Sequence, residues 1–182
     1  MVISMNTANK LTMLRVVLIP VYLILWHIDA AWSIYAALAV FVAASLTDLL
    51  DGYIARHYNQ VTDFGKFMDP LADKVLVLTA MACFCSVGRF PDWALVIVIA
   101  REFAVSGLRL VAVDNGRVIA AGWSGKVKTA STMVCLCLMH LTVLPIPMEI
   151  LDWVCVLVIA ATTLYSGIEY FVLNRDVLNW NK

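Results

Sequence analysis

Residues 48–73 read DLLDGYIARHYNQVTDFGKFMDPLAD, and a long apolar run lies on either side of them. Asp48 and Asp51 are three residues apart, and Asp69 and Asp73 are four apart. Both spacings put the members of a pair on one face of a helix. The sequence therefore predicts two neighbouring membrane helices, each carrying a pair of carboxylates close to the connection between them.

Apolar runs of similar length recur along the whole chain. Of its 182 residues, 63% are hydrophobic and 14% are charged, whereas about half and about a quarter are usual in soluble domains. Each run is close to the roughly 20 residues that cross a bilayer as a helix, and lipid leaves no partner for free backbone groups. We therefore predict an all-α, integral membrane bundle of six transmembrane helices in a single domain, 1–182. The predicted spans are 11–28, 32–55, 70–88, 91–112, 127–145 and 150–172, between a short segment 1–10 and a tail 173–182.

Lysine and arginine are concentrated on one side of these spans. The basic residues on that side are Lys10, Arg15, Arg56, Lys66, Lys74, Arg109, Arg117, Lys126, Lys128, Arg175 and Lys182. The connections on the other side contain only Arg89. Because positive charge favours the cytoplasmic side, we predict that both termini and the stretch 48–73 face the cytoplasm.

Other features of the composition exclude several classes of function. The formal net charge is zero, which gives no general reason to expect nucleic-acid binding. All five cysteines lie inside apolar runs, so we expect buried reduced thiols and no disulfide framework. The three histidines are far apart, and none is spaced with a cysteine as in a zinc site. We also expect no cleavable signal peptide.

Four carboxylates at membrane depth need a physical explanation. An ionised side chain there costs about 2.5–3.5 kcal/mol, and clustered carboxylates also repel one another. A bound divalent cation removes both problems, and ligands that are all oxygen favour Mg²⁺ or Mn²⁺ over Zn²⁺. Two such ions could clamp a pyrophosphate. The predicted metal ligands are Asp48, Asp51, Asp69 and Asp73. The alternative is an acidic loop at the membrane surface whose glycines serve as turns.

Pro70 bears on where the third span begins. The residue before a proline avoids helical geometry, and proline is favoured at the first helical position. We therefore predict that Asp69 is the N-cap of the third span and that Pro70 is its first residue. Asp73 would lie one turn further along.

The pattern Asp48-x2-Asp51-Gly52-x2-Ala55-Arg56-x8-Gly65-x3-Asp69-x3-Asp73 resembles the signature of the CDP-alcohol phosphotransferase family at every fixed position. The resemblance implies a six-helix bundle, usually a homodimer, with a polar cavity open to the cytoplasm. It also implies that the four aspartates hold two metal ions and that Asp73 is in addition the catalytic base. The residues that the resemblance places against the CDP part of the substrate are Asn9, Thr12, Gly52, Arg56 and Thr62.

Three further stretches, 101–109, 118–121 and 125–129, look like the bacterial phosphatidylglycerophosphate synthases within that family. That likeness implies an inner-membrane enzyme that transfers a phosphatidyl group from CDP-diacylglycerol to sn-glycerol 3-phosphate and releases CMP.

The residues of span four independently favour an acceptor that carries phosphate. Arg101 and Arg109 are eight apart and share one helix face, and Lys126 and Lys128 begin span five on the same side. These four residues are the predicted site for the acceptor's phosphate. Alternatively, Arg101 pairs with Glu102 or an aspartate, and the lysines are positive-inside anchors. We expect Glu102 to orient Arg101 and not to bind metal. Glu169, near the cytoplasmic end of span six, has no assigned role.

Three other functions fit part of the pattern. The same chemistry could use another acceptor, such as inositol phosphate, serine or phosphatidylglycerol. A membrane cation transporter also places acids on facing helices, although no internal repeat or broken helix is visible here. A non-catalytic lipid-binding scaffold would gain nothing from four costly carboxylates.

Overall fold

The computed structural model describes residues 7–57, 63–120, 122–143 and 145–177, with only the backbone at 7, 8, 48–57, 63–67, 69 and 70. Within these ranges all regular secondary structure is helical, which confirms the predicted all-α class. The helices are α1 (Thr7–Trp26), α2 (Ser33–His57), α3 (Asp63–Ser86), α4 (Asp92–Asp114), α5 (Trp123–His140), α6 (Met148–Leu173) and a short 3₁₀ turn (Arg175–Val177). Each predicted span corresponds to one α-helix.

Four of the helices begin earlier than predicted, among them α1 at Thr7 and not residue 11, and α6 at Met148 and not residue 150. α3 begins at Asp63, so Asp69 and Pro70 lie beyond its first turn, and the prediction that they are its N-cap and first residue is wrong. α5 begins at Trp123 and not at residue 127. Hydropathy marks the length of chain that suits hydrocarbon, but a helix can continue through polar residues outside it. Pro70 removes one backbone hydrogen bond, which this helix tolerates.

The chain forms two compact units, Met1–Cys83 and Phe84–Lys182. In the first unit α1 packs against α2. Ala37, Phe41 and Ala44 recur at helical spacing on α2 and are fully buried, and small residues in such a row let two helices approach closely. The ring of Tyr22 lies 6.2 Å from that of Phe41. Arg15, which the orientation prediction counts as cytoplasmic charge, is fully buried, and its Nε donates to the Ala44 carbonyl at 3.4 Å.

In the second unit α6 packs against both α4 and α5. Its core includes Val98 of α4, Leu136 of α5 and Ile159 of α6, all fully buried. The hydroxyls of Ser131 and Thr162 are 3.2 Å apart and join α5 to α6, a contact typical of helices packed in lipid. The five cysteines of the chain are free thiols, as predicted.

α3 and α4 end in the same kind of cap. Gly88 and Gly116 follow these helices with φ of 72° and 70°, a left-handed conformation that glycine adopts without strain. The residue after each glycine donates its N–H to the carbonyl five residues earlier, at 3.0 and 2.8 Å, which is the Schellman pattern. That residue is Arg89 after α3 and Arg117 after α4, so both caps present an arginine at a fixed position.

The guanidinium of Arg89 contacts three other residues. Its Nε and Nη2 each donate to Asp152 of α6 at 2.8 Å, one to each carboxylate oxygen. Nη2 also donates to the Met139 carbonyl at the end of α5, at 2.7 Å. The guanidinium lies 5.1 Å from the centre of the Phe84 ring. The one basic residue on the predicted outer side is therefore paired with a carboxylate of α6.

The outward faces of these helices are strongly apolar. Exposed side chains on α6 include Ile150, Leu157, Leu164 and Ile168. By length and hydropathy, Asn9–Trp26 and Met148–Leu173 are long enough to cross a membrane, and Ser33–Thr47 is a shorter apolar stretch. Two of the six predicted spans thus meet the hydropathy test within the described residues. An apolar surface of this extent suits lipid better than water.

Candidate functional site

The two aspartate pairs lie on continuous helices of the first unit. Asp48 and Asp51 belong to α2, and Asp69 and Asp73 belong to α3. Each pair therefore keeps the spacing that puts its positions on one helix face. Of the four side chains, only that of Asp73 is among those described, and it is half-buried. The predicted four-carboxylate cage therefore stays a prediction, and the side chains that the structure does describe contain no group of three potential metal ligands.

The residues expected at the CDP part of the substrate are also in the first unit. Gly52 and Arg56 continue α2 one and two turns beyond Asp48, with only their backbone described. Asn9 and Thr12 lie one turn apart on α1, Asn9 half-buried and Thr12 fully buried. Thr62 lies outside the described residues. Thr12 and Arg15, also three apart, show that this face of α1 is polar and buried, which suits a ligand better than lipid.

The second unit brings together two of the four predicted phosphate-binding residues. Arg101 Nη1 and Lys128 Nζ both donate to Oε1 of Glu102, at 3.0 and 2.6 Å. The contact confirms that Arg101 pairs with Glu102, which agrees both with the predicted orienting role of Glu102 and with the alternative of a simple ion pair. Among the described side chains, these two cations on one carboxylate leave one positive charge in excess. Arg101 Nε is buried and has no hydrogen-bond partner in the described part of the chain.

Backbone from two helices flanks the Arg101 side chain. A methyl group added at Gly167 of α6 would lie 3.2 Å from Arg101 Cγ, and one added at Gly125 of α5 would lie 3.6 Å from its Nη2. Only 13% of the Arg101 side chain is exposed, and 6% of that of Lys128. The sequence therefore places an excess cationic charge in a narrow slot between α4, α5 and α6, where the dielectric is low and an anion would be attracted strongly.

Arg109 has a different partner. Its Nε donates to the Tyr170 hydroxyl at 2.7 Å, and its Cζ lies 5.4 Å from the centre of that ring. The sequence interpretation did not identify Tyr170. It is an aromatic residue in an apolar helix, 61 positions from Arg109, and nothing in a single sequence distinguishes it from an ordinary core residue.

Lys126 and Glu169 are two further polar groups of the second unit. Lys126 is exposed, in contrast to Lys128. Glu169 is half-buried and lines a cavity of about 330 Å³ together with Arg117, Trp123 and Tyr170. A cavity of that size is at the lower end of the range for small-molecule sites. The second unit thus combines a confined cationic cluster with a nearby open cavity.

Comparison with known proteins gives a consistent match over nearly the whole chain. The family described as CDP-alcohol phosphatidyltransferase matches residues 5–177. The chain is 38% identical over 191 residues to the CDP-diacylglycerol–glycerol-3-phosphate 3-phosphatidyltransferase of Bacillus subtilis, covering 95% of this chain and 97% of the relative. It is 40% identical over 137 residues to the protein of the same name from Escherichia coli K12, covering 72% and 74%. It is 38% identical over 172 residues to a probable phosphatidylglycerophosphate synthase of Mycobacterium tuberculosis H37Rv, covering 91% and 79%.

Proposed function

Because the chain belongs to the CDP-alcohol phosphatidyltransferase family, we propose that it makes phosphatidylglycerophosphate from CDP-diacylglycerol and sn-glycerol 3-phosphate and releases CMP. The relatives at 38–40% identity that carry this activity in their names support the proposal. The product is an anionic phospholipid precursor, so the chain is a transferase of phospholipid synthesis. The proposed location is the bacterial inner membrane, with six spans, both termini in the cytoplasm, and a homodimer as the assembled state.

The reaction breaks the phosphoanhydride bond of the pyrophosphate and forms a phosphodiester bond. A glycerol hydroxyl of the acceptor attacks the phosphorus on the diacylglycerol side of the pyrophosphate, and the bond from that phosphorus to the oxygen of CMP breaks. Asp73 takes the hydroxyl proton as general base, a role consistent with a half-buried carboxylate on a helix of the first unit. Asn9, Thr12, Gly52, Arg56 and Thr62 hold the cytidine nucleotide.

The four aspartates fit a pair of hard divalent cations, because every candidate donor is an oxygen and each pair sits within one turn of an unbroken helix. Asp48, Asp51, Asp69 and Asp73 would hold the ions. When bound, Mg²⁺ or Mn²⁺ supplies charge neutralisation to the pyrophosphate oxygens.

The observation that carries the choice of acceptor is the Arg101–Glu102–Lys128 cluster. Its excess positive charge and the unused Nε of Arg101 favour a phosphate-bearing acceptor over serine, which carries no phosphate. We assign the acceptor's phosphate to Arg101, Arg109, Lys126 and Lys128. The described contacts make Arg101 and Lys128 the confined members of that set and Arg109 and Lys126 the exposed ones.

The proposal is tested with purified protein in detergent micelles that contain CDP-diacylglycerol and either Mg²⁺ or Mn²⁺. CMP release is measured with sn-glycerol 3-phosphate, inositol phosphate, serine or phosphatidylglycerol as the acceptor. We expect release with glycerol phosphate only, its loss on chelation of the metal, and none from an Asp73→Asn variant that elutes as the same oligomer. Release that depends on another acceptor would reject glycerol phosphate. Cation flux into proteoliposomes without CMP release would favour the transporter.

A further inference from the structure

Within the described residues, only one nitrogen of the Arg109 guanidinium donates a hydrogen bond. The Nε–H donates to the Tyr170 hydroxyl, 2.7 Å away, and the guanidinium carbon lies 5.4 Å from the centre of the same ring. Neither terminal nitrogen of Arg109 has a hydrogen-bond partner among the described residues. A guanidinium held in this way still has the two parallel N–H groups that contact a phosphate in bidentate fashion.

Tyr170 is itself packed in the interior of the second unit. Only 5% of it is exposed, and it belongs to a buried cluster with Val105, Leu108, Ala112 and Val177. Val105, Leu108 and Ala112 are on α4, on either side of Arg109 in the chain, so the ring packs against the helix that carries the arginine. The phenol oxygen therefore lies at a fixed position relative to the α4 backbone. Arg109 would otherwise be an exposed side chain with many rotamers, and ordering such a side chain on binding opposes affinity.

We propose that Tyr170 is a positioning residue that orients Arg109 toward the phosphate of the acceptor. This rests on the proposed function. The two arginines of α4 are oriented in chemically different ways. Glu102 orients Arg101 but cancels part of the local charge, whereas the neutral phenol of Tyr170 orients Arg109 and leaves its charge intact. Arg109 thus meets the incoming anion with full charge and little rotamer freedom left to lose.

The test is Tyr170→Phe, which keeps the ring and removes the hydroxyl. Tyr165→Phe is the matched control, because Tyr165 is on the same helix, is 66% exposed, and makes no hydrogen bond with any described residue. We expect Tyr170→Phe to raise the KM for sn-glycerol 3-phosphate about tenfold, the size expected for one hydrogen bond to a charged group. The KM for CDP-diacylglycerol, measured as mole fraction in micelles, and kcat should stay within twofold of wild type, as should all constants of Tyr165→Phe.

A second variant separates positioning from packing. Arg109→Lys keeps the positive charge but has no group equivalent to Nε–H. If Tyr170 acts through Arg109, adding Tyr170→Phe to Arg109→Lys should raise the acceptor KM no further. Additive effects would overturn the inference. The inference would also be overturned if Tyr170→Phe had wild-type constants, or if its kcat fell and its KM values for both substrates rose together. A wild-type protein that releases no CMP with glycerol phosphate would overturn the proposed function, and this inference with it.

Discussion

The second unit contains two arginine–carboxylate clusters that differ in how completely they are satisfied. Arg89 and Asp152 form a closed pair: each carboxylate oxygen accepts one N–H at 2.8 Å, and the remaining contact goes to a backbone carbonyl. Arg101, Glu102 and Lys128 form an open cluster, in which two cations share one oxygen and a buried N–H of Arg101 is unused by any described group.

This difference separates a structural ion pair from a binding site. The closed pair has no net charge left for a further ligand to neutralise, because each oxygen of Asp152 already accepts an N–H from Arg89. An open cluster keeps part of the desolvation cost of its charges uncompensated until an anion arrives. Both clusters are partly or largely buried, so burial of charge alone does not identify function. The balance of charge and of hydrogen-bond donors does.

Among variants of these two clusters, Arg101→Ala should have the largest effect, because it removes the donor that the open cluster offers. Loss of hydrogen bonds from a charged group to phosphate costs about 3 kcal/mol, so we expect kcat/KM for sn-glycerol 3-phosphate to fall on the order of a hundredfold. The KM for CDP-diacylglycerol should change little. Initial rates over a matrix of both substrates measure this. Equal losses for the two substrates would contradict a role at the acceptor's phosphate.

Asp152→Asn should lower the free energy of unfolding and leave substrate binding unchanged. The Asp152 side chain is 9% exposed and that of Arg89 is 21% exposed, so the variant leaves a half-buried guanidinium without its counter-charge. We expect a loss of about 2 kcal/mol in unfolding free energy, below the range for fully buried pairs. The difference in stability is measured by heating wild type and variant in detergent and recording the fraction of protein that stays monodisperse at each temperature. The KM for the acceptor should remain that of wild type at temperatures where the variant is folded, and a rise would mean that the closed pair also serves the site.

Lys128→Met should convert the open cluster into a closed one. Among the described side chains of the cluster, one cation and one carboxylate would then remain, and the excess positive charge would be lost. We expect the acceptor KM to rise about tenfold, consistent with one charge-assisted hydrogen bond. Lys126→Met is the matched control two residues away, and because Lys126 is exposed we expect at most a twofold change. Equal effects of the two variants would show that general positive charge, and not the cluster, attracts the acceptor.

The sequence predicted the number and order of the helices because long apolar runs permit only one structure in lipid. It misplaced the start of α3, at Asp63 and not residue 70, because hydropathy does not report how far a helix continues into the interface. The pairing of Arg101 with Glu102 was predictable, since the two residues are adjacent. The partners of Arg89 and Arg109 are 63 and 61 positions away along the chain. Only the packing of α6 against its neighbours brings them together, and no local pattern encodes that.

The arginine–aspartate pair between Arg117 and Asp176 should show the smallest effect, and it completes the comparison. Arg117 occupies the same cap position after α4 that Arg89 occupies after α3, and it too contacts a carboxylate. Both of its side chains are exposed, however, so solvent and salt screen the attraction, and we expect Asp176→Asn to leave the unfolding midpoint at pH 7 within about 1 °C of wild type.

The hydrogen bond from Arg117 lowers the pKa of Asp176 below its ordinary value of 3.8. A lowered carboxyl pKa stabilises the folded state above the ordinary value, and the stabilisation is lost as the pH falls through the folded-state pKa. Any difference between wild type and variant should therefore be constant above about pH 5 and vanish in acid. A midpoint shift as large as that of Asp152→Asn would show that a common cap, and not burial of the pair, determines how much an arginine stabilises this unit.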